Sequence, residues 1–256
     1  MERRELTHDA RTRTWLEVPG KRDTLLMVLH GSLQSGSVMR NFTSRQFEEL
    51  GPTVVYPDGV SRHFNDLRTG LAEETRRLGI DDVGFLRKLV EHYAAERVIG
   101  IGFSNGGQMV LRMLFDAPGV LTGAALFGAS MPTEDNTAVD TSEFVPTPVV
   151  SVQGTADPLV PYKGGMAGIN NNNRGETRSA LGSAEYLAQL NGCTGHSAQE
   201  HRGYRVDAWS GEAPVELWSI ADFGHMVPGR TDLDPRIGPG TELVTGAEIV
   251  GGFFSL

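Results

Sequence analysis

The 256-residue sequence contains a single cysteine, Cys193. One thiol cannot form an intrachain disulfide or supply a Cys-based zinc site, so a disulfide-stapled scaffold and a zinc ribbon are both excluded. A basic excess is also missing, since 23 lysines and arginines face 32 aspartates and glutamates, for a formal net charge of −9. This balance argues against a general nucleic-acid binder or a protein of anionic membrane surfaces.

Long apolar runs are absent as well. Residues 1–13 are rich in charge, and no apolar core of a secretion signal follows them. The sequence nowhere contains the roughly 18 consecutive apolar residues that a transmembrane helix needs. We therefore expect a cytoplasmic protein that neither enters a membrane nor binds nucleic acid.

Strand and helix patterns alternate along the chain. Helical spacing of apolar residues predicts four helices, the first with Asp81 or Asp82 as its N-cap, and an alternating pattern at 12–18 predicts an edge strand. Buried strands that alternate with helices predict an α/β fold, with a mostly parallel central sheet and helices on both faces. The short apolar runs typical of strands buried on both faces lie at 24–29, 53–56, 98–103, 123–127, 148–152 and 215–220, and the helices are predicted at 81–93, 109–115, 177–190 and 241–254.

No internal repeat or compositional break divides the chain, which predicts one domain over residues 1–256. The unusual segment is 163–175, which contains Gly164, Gly165 and a run of asparagines at 170–173. We interpret it as a solvated, flexible loop, with a lid or an insertion on the substrate side as the alternative.

The sharpest functional motif is Gly102-Phe103-Ser104-Asn105-Gly106, which fits the pattern G-x-S-x-G. It ends a predicted strand and precedes a predicted helix, which is the context of a nucleophile elbow. The glycines keep bulk away from the tight turn, which would present the Ser104 hydroxyl above the sheet at a helix N-terminus. Ser104 is therefore the predicted nucleophile.

A serine hydroxyl needs a general base, and in this architecture the chain order is serine, acid, histidine. That order leaves His196, His201 and His225. Only His225 follows a buried strand by a short loop, which places it at the carboxyl edge of the sheet, and we predict it as the base. The other two lie in a polar stretch, and His30, which ends its own strand, is interpreted as a structural residue that shapes the following loop.

The acid should come just after an intervening strand. Asp157 meets this condition and would orient the imidazole of His225. Asp135 and Asp140 are rivals in a polar, threonine-rich stretch, and Asp222 lies very close to His225 along the chain.

An oxyanion hole needs two backbone N–H groups. One is predicted at Asn105, the residue after the nucleophile, and the other in the loop that follows the strand at 24–29. We assign the second donor to Ser32, with Leu33 as the near alternative.

Several segments of the chain occur in the order of a known family. With them the chain resembles the α/β-hydrolase esterases related to polyhydroxybutyrate depolymerases and feruloyl esterases, a branch that includes LpqC-like bacterial proteins. The resemblance implies an α/β-hydrolase fold and esterase activity, and it agrees with the triad of Ser104, Asp157 and His225. We predict that this activity needs neither a cofactor nor a metal. The matching segments are Leu29-His30-Gly31-Ser32-Leu33-Gln34, Tyr56-Pro57-Asp58-Gly59, Asp81-Asp82-Val83-Gly84-Phe85-Leu86, Gly102-Phe103-Ser104-Asn105-Gly106-Gly107-Gln108-Met109, Gly154-Thr155-Ala156-Asp157 with Val160-Pro161, and Gly224-His225-Met226-Val227-Pro228-Gly229.

The chain departs from this family at two places that should border the substrate pocket. Relatives usually carry a tryptophan where Val227 stands, and a Trp-Asn-Asp-Gly-Arg segment where this chain has Phe64-Asn65-Asp66-Leu67-Arg68. We therefore predict Phe64 and Val227, together with Leu33, as substrate contacts in a pocket with a different aromatic lining. Many relatives also have paired cysteines, whereas Cys193 is expected to be a reduced thiol.

These patterns predict a serine esterase that forms an acyl-enzyme with a small-molecule ester. The resemblance suggests a small aromatic, feruloyl-type ester or a short 3-hydroxyalkanoate ester. The alternatives are an amidase or peptidase with the same triad and a catalytically silent α/β-hydrolase scaffold. The sequence does not indicate an oligomeric state.

Overall fold

The computed structural model describes residues 1–137, 139–169, 172–231 and 234–256. The strands are β1 (Glu2–His8), β2 (Arg11–Val18), β3 (Lys21–Leu29), β4 (Pro52–Pro57), β5 (Arg97–Phe103), β6 (Gly123–Phe127), β7 (Val149–Gly154), β8 (Gly165–Ile169), β9 (Asn172–Thr177), β10 (Gly195–His201), β11 (Tyr204–Ser210) and β12 (Val215–Ile220). The helices are α1 (Gly36–Phe42), α2 (Glu74–Arg77), α3 (Asp82–Tyr93), α4 (Asn105–Asp116), α5 (Ala180–Leu190) and α6 (Gly246–Phe254). Short 3-10 helices lie at Gln46–Leu50, Val60–Arg62, Glu134–Asn136 and Pro235–Ile237.

The main sheet has the strand order β1-β2-β4-β3-β5-β6-β7-β12-β11-β10. The strands from β4 through β12 in this order are parallel to one another, while β1, β2, β11 and β10 pair antiparallel at the two edges. The predicted sheet, mostly parallel at its centre, is therefore present. All the parallel strands end at one edge, where the loops that carry functional groups of such folds lie.

Each face of the sheet is covered by helices. Successive side chains of a strand point to opposite faces, so Leu25, Met27 and Leu29 of β3 pack in one core while Leu26 and Val28 pack in the other. The first core also contains apolar residues of α3, α4 and α5, and the second contains residues of α1 and α6. The prediction of helices on both faces is thus confirmed.

The predicted edge strand at 12–18 lies inside the sheet instead. Its strand, β2, pairs with β4 on one side and with β1 on the other, so β1 forms the edge. The seven residues of β1 are largely exposed, and the strand begins with four consecutive charged residues, so it has no apolar alternation that would predict a strand.

Capping side chains determine where the helices start, and for α3 the N-cap is Asp81, one of the two predicted residues. Asp81 caps α3 by accepting from the N–H of Gly84, whereas Asp82 is buried and forms an ion pair with Arg13. The helix predicted at 177–190 begins at Ala180, after Ser179 as N-cap.

The remaining two predicted helices also start elsewhere. The one predicted at 241–254 begins at Gly246, where Thr245 and Glu248 form a reciprocal capping box. The one predicted at 109–115 extends back to Asn105.

The segment 163–175, which was interpreted as a flexible loop, contains regular strand structure. It forms most of an antiparallel hairpin, β8–β9, in which residues 170 and 171 lie outside the described part of the chain. The side chain of Asn136 holds the hairpin by donating to the carbonyl oxygens of Arg174 and Glu176, at 3.0 Å each. Whether the hairpin acts as a lid stays a prediction.

Among the described residues, no helix combines the length and the apolar character needed to cross a membrane.

Candidate active site

Ser104 occupies a sharp turn between β5 and α4. Its φ of 53° and ψ of −116° lie outside the helical and extended regions, a conformation that a non-glycine residue adopts only when its surroundings hold it there. The N–H of Ser104 donates to the carbonyl of Phe127, and its own carbonyl accepts from the N–H of Gln108. These two main-chain bonds fix the turn between β6 and the first turn of α4.

The glycines of the motif are required by close approach of the main chain. A Cβ on Gly102 would lie 2.4 Å from the carbonyl oxygen of Gly106, and a Cβ on Gly106 would lie 2.2 Å from that of Leu29. Both distances are far shorter than a carbon–oxygen contact allows. Glycine at these positions lets the turn sit directly on the end of β3.

His225 and Asp157 meet at the same edge of the sheet. Nδ1 of His225 lies 2.7 Å from Oδ2 of Asp157, and both side chains are almost completely buried. Because a carboxylate only accepts, Nδ1 carries the hydrogen and Nε2 is left with its lone pair. The other carboxylate oxygen of Asp157 accepts from the N–H groups of Leu159 and Val160 at 2.8 Å each, so this carboxylate is held at both ends.

The rival histidines lie elsewhere on the molecule. His196 pairs with Asp207 on the strand pair β10–β11, and His201 stacks on Tyr204 at the end of the same pair. The structure therefore brings only His225 of the three candidates to Asp157.

The rival acids do not contact His225 either. Asp135 lies in the 3-10 helix Glu134–Asn136, Asp140 accepts from the N–H of Ser142, and Asp222 is exposed in a turn.

Of the two candidate second oxyanion donors, the structure favours Ser32. The N–H of Leu33 donates to the carbonyl oxygen of Arg62 at 3.0 Å, so it is already engaged and the alternative assignment to Leu33 is wrong. Ser32 lines the same cavity as Ser104. Asn105 is the first residue of α4, where an N–H group has no acceptor within the helix.

His30 is completely buried beneath this loop. Its Nε2 accepts from the N–H of Gly59 at 2.9 Å, so Nδ1 carries the hydrogen and donates to the carbonyl oxygen of Gly31 at 2.8 Å. Its ring also packs on Phe64, with 4.6 Å between the ring centroids. These contacts agree with the interpretation of His30 as a structural residue that shapes the loop of Ser32.

Burial lowers the pKa of His30 from 6.5 to about 4. The unfolded chain therefore binds a proton at this position below about pH 6.5, while the folded chain does not until about pH 4. We expect the free energy of unfolding to fall as the pH is lowered through this window, by up to about 3 kcal/mol for this group. Urea unfolding between pH 7 and pH 4.5 measures the slope.

The matched variant is His30→Asn. Its free energy of unfolding should be lower than that of the wild type at pH 7 but should change less as the pH is lowered. An unchanged slope in this variant would assign the proton linkage to other groups.

Two predicted substrate contacts are not in the cavity. Phe64 is fully buried in the core, with its main chain paired to the side-chain amide of Asn105 at 2.8 and 2.9 Å. Val227 is 2% exposed and packs in the second core beside Gly246. Neither lines the cavity that contains Ser104 and His225, so both predictions are wrong, whereas Leu33 does line it.

The cavity has a volume of about 210 Å³. The loop after β3, the elbow, the loop after β7 and the hairpin β8–β9 all contribute to it. The residues that line it are Ser32, Leu33, Arg68, Ser104, Leu159, Val160, Ala167, Gly168, Asn172, Arg174 and His225.

Sequence reasoning missed the arginines of this lining. Arg68 belongs to the segment that was expected to border the pocket, but the prediction there named Phe64. Arg174 lies in the segment that was interpreted as a solvated loop. Recognition of β9 as a strand would have been needed to place Arg174 at the cavity. The neighbouring asparagines and glycines obscure the alternation that predicts a strand.

No group of three or more histidine, cysteine, aspartate or glutamate residues that could hold a metal ion occurs in the described ranges.

The strand order, the elbow and the buried Asp157–His225 pair define the class of the protein. It has the α/β-hydrolase fold, which it shares with solved α/β hydrolases. One of them is a carboxylesterase from Mesorhizobium loti, with a TM-score of 0.54 and 16% identity over 99% of this chain and 98% of that one.

Sequence comparison agrees with this class. The phospholipase/carboxylesterase family matches residues 85–172. The chain is 30% identical over 151 residues to the candidate esterase NocK of Nocardia uniformis subsp. tsuyamanensis, over 55% of this chain and 42% of that protein. It is 26% identical over 154 residues to feruloyl esterase B of Piromyces equi, over 57% of this chain and 29% of that protein.

The chain thus spans less than half the length of either curated relative that it matches. These matches support a hydrolase of the carboxylesterase type. The narrower resemblance to polyhydroxybutyrate depolymerases and LpqC-like proteins stays a prediction.

Proposed function

We propose that the protein is a serine esterase that hydrolyses carboxylic esters through Ser104, His225 and Asp157. The observation that carries this proposal is the pair of Asp157 and His225, 2.7 Å apart and buried, at the cavity that Ser104 enters from a strained turn. A turn of this kind persists only where the surrounding structure holds it, and functional sites are where such conformations concentrate.

The proposed reaction has two halves. Nε2 of His225 takes the proton of Ser104 as the serine oxygen attacks the ester carbonyl, and the N–H groups of Ser32 and Asn105 bind the resulting oxyanion. The C–O bond to the alcohol then breaks, and the alcohol leaves with the proton from His225. Water, deprotonated by the same histidine, attacks the acyl-enzyme and releases the acid, while Asp157 keeps Nδ1–H in place throughout.

The size and lining of the cavity favour a short aliphatic ester. A volume of about 210 Å³ lies below the ~300–1,000 Å³ of pockets that hold drug-sized ligands. Its apolar walls consist of Leu33, Leu159, Val160 and Ala167, and no aromatic side chain is part of the lining as far as the structure describes it. Of the two substrate types that the resemblance suggests, we therefore favour a short 3-hydroxyalkanoate-like ester over a feruloyl-type ester.

Labelling and pre-steady-state kinetics test the proposed intermediate. A fluorophosphonate should inactivate the protein with a stoichiometry of one, because the serine oxygen displaces fluoride and the phosphonyl group stays on the peptide that contains Ser104. Rapid mixing with p-nitrophenyl butyrate should release a burst of nitrophenol equal to the enzyme concentration if deacylation limits turnover.

The matching p-nitroanilide distinguishes an esterase from an amidase and should be hydrolysed far more slowly than the ester. Label on a different residue, or no hydrolysis of either compound by the folded protein, would contradict the proposal.

A further inference from the structure

Two buried arginines line the cavity beside the proposed nucleophile. Arg68 is 5% exposed and Arg174 is 8% exposed, yet both belong to the cavity wall. A buried guanidinium is costly unless it is paired, and each of these two has one carboxylate partner. Arg68 pairs with Asp66, and Arg174 lies 2.5 Å from Glu73.

The carboxylate partners do not use all the donors of the two guanidinium groups. Nε and Nη2 of Arg68 contact Asp66, and the contact of Arg174 to Glu73 is made by Nη2. Within the described ranges Nη1 of either arginine has no protein acceptor, and neither is among the buried unpaired atoms. These donors therefore keep some solvent exposure, and both residues line the cavity.

The carboxylates behind the arginines are themselves shared with other donors. Asp66 also accepts from the side-chain amide of Asn105 at 2.7 Å and from the N–H of Arg68. A third guanidinium, that of Arg76, donates to the carbonyl oxygens of Asp66 and Arg68 at 2.6 Å each. Arg76 lies outside the cavity lining, so the charged side chains that a ligand in the cavity would meet are those of Arg68 and Arg174, and neither of their partners, Asp66 and Glu73, lines the cavity.

The charge of the cavity contrasts with that of the whole chain. The formal net charge is −9, but the described lining contains two arginines and no carboxylate side chain. Salt screens the distant negative charges of the protein beyond about 8–10 Å. Because Asp66 and Glu73 do not line the cavity, an anionic ligand there would contact guanidinium groups and no carboxylate. Binding of an uncharged acyl chain would need only an apolar wall and would not require arginines in the lining.

From this arrangement we propose that the substrate is an ester that carries a carboxylate, with Arg68 and Arg174 as its binding residues. The class includes monoesters of short dicarboxylic acids, in which the free carboxylate and the ester carbonyl lie a few bonds apart. This inference rests on the proposed esterase function and further specifies that the ester substrate is negatively charged.

Matched pairs of substrates test the inference on each side of the ester bond. Mono-4-nitrophenyl glutarate carries its carboxylate on the acyl side and is compared with its neutral methyl ester. The compound 4-(butyryloxy)benzoate carries its carboxylate on the alcohol side and is also compared with its methyl ester. The anionic member of at least one pair should have a kcat/KM at least 10-fold higher, and added NaCl should reduce the preference. Ser104-dependent hydrolysis of all four compounds with no anionic preference in either pair would overturn the inference and leave the esterase function standing.

Variants of Arg174 separate ligand binding from support of the hairpin. Its partner Glu73 is 26% exposed at the side chain, so water can solvate the carboxylate when the arginine is removed. Arg174→Met should reduce the ratio of anionic to neutral kcat/KM by 10- to 100-fold, as expected for a lost charge-assisted hydrogen bond. Arg174→Lys should restore part of the ratio.

The control is Arg178→Met, which removes an arginine just past the same hairpin. Arg178 packs over Tyr186 and does not line the cavity, so this ratio should stay unchanged. An equal loss for both members of a pair in Arg174→Met, with no rescue by lysine, would assign Arg174 to the support of the hairpin alone.

Calorimetry with glutarate gives a readout that does not depend on turnover. Wild-type protein should bind glutarate, and the Arg174→Met variant should bind it at least 10-fold more weakly. If no ester is hydrolysed but glutarate binds in this manner, the esterase function fails while the anion site stands. If hydrolysis occurs and glutarate does not bind, the anion site fails.

Discussion

Replacement of Ser104 by alanine should reduce kcat for p-nitrophenyl butyrate by about 10⁴- to 10⁶-fold. In the proposed mechanism Oγ of Ser104 is the atom that attacks the ester carbonyl. Without it His225 has no serine hydroxyl to deprotonate, and the serine-bound oxyanion that the N–H groups of Ser32 and Asn105 would stabilise does not form. Residual hydrolysis should show no burst of nitrophenol, because no acyl-enzyme can form. The measurement is the steady-state rate together with the amplitude of the rapid-mixing transient.

The alanine variant should fold as the wild type does. The turn at Ser104 is held by its main-chain N–H and carbonyl, which bond to Phe127 and Gln108, and alanine keeps both bonds. Because alanine has the same Cβ as serine, the strain of the positive φ is also unchanged.

A matched control is Ser130→Ala, at a buried serine outside the cavity whose Oγ has no partner in the described part of the chain. It should retain wild-type kcat. Full activity of Ser104→Ala, or an equal loss in Ser130→Ala, would contradict the assignment of the nucleophile.

The elbow was predictable because one local requirement specifies both its sequence and its geometry. Gly102 and Gly106 are needed wherever a serine sits on a turn this tight, and the strand before it and the helix after it have their own apolar patterns. His225 and Asp157 were predictable for a related reason. Each follows a buried strand, and the carboxyl ends of parallel strands meet at one edge of the sheet.

The walls of the cavity were less predictable because they depend on packing between distant segments. Phe64 was expected at the cavity, but its ring packs against His30 and its main chain binds the Asn105 side chain, so Arg68 faces the cavity instead. Nothing in the local sequence distinguishes these two outcomes. Arg174 reaches the cavity from a hairpin that Asn136 contacts from a different part of the chain.

The polar strands at the edges were missed for a third reason. Six of the seven residues of β10 are exposed, so this strand has no buried face that would impose an apolar alternation. The same holds for most of β1. Pairing with the next strand of the sheet, rather than burial, establishes both elements.

Replacement of Asp157 by asparagine should reduce kcat by about 10³- to 10⁴-fold with little change in the structure. The N–H groups of Leu159 and Val160 both point at Oδ1, so in the variant this position must remain the amide oxygen. The amide NH₂ then replaces Oδ2 and faces Nδ1 of His225 as a donor. Nδ1 must become the acceptor, which moves the ring hydrogen to Nε2, and the histidine can no longer accept the proton of Ser104.

The control is Asp222→Asn, at the rival acid in the exposed turn before His225, which should keep wild-type kcat and KM. Rates at saturating p-nitrophenyl butyrate between pH 6 and 9, with thermal unfolding alongside, compare the three proteins. Near-normal kcat in a folded Asp157→Asn protein would show that the orientation of the imidazole does not depend on this carboxylate. A large loss in Asp222→Asn would instead transfer the role of the acid to Asp222.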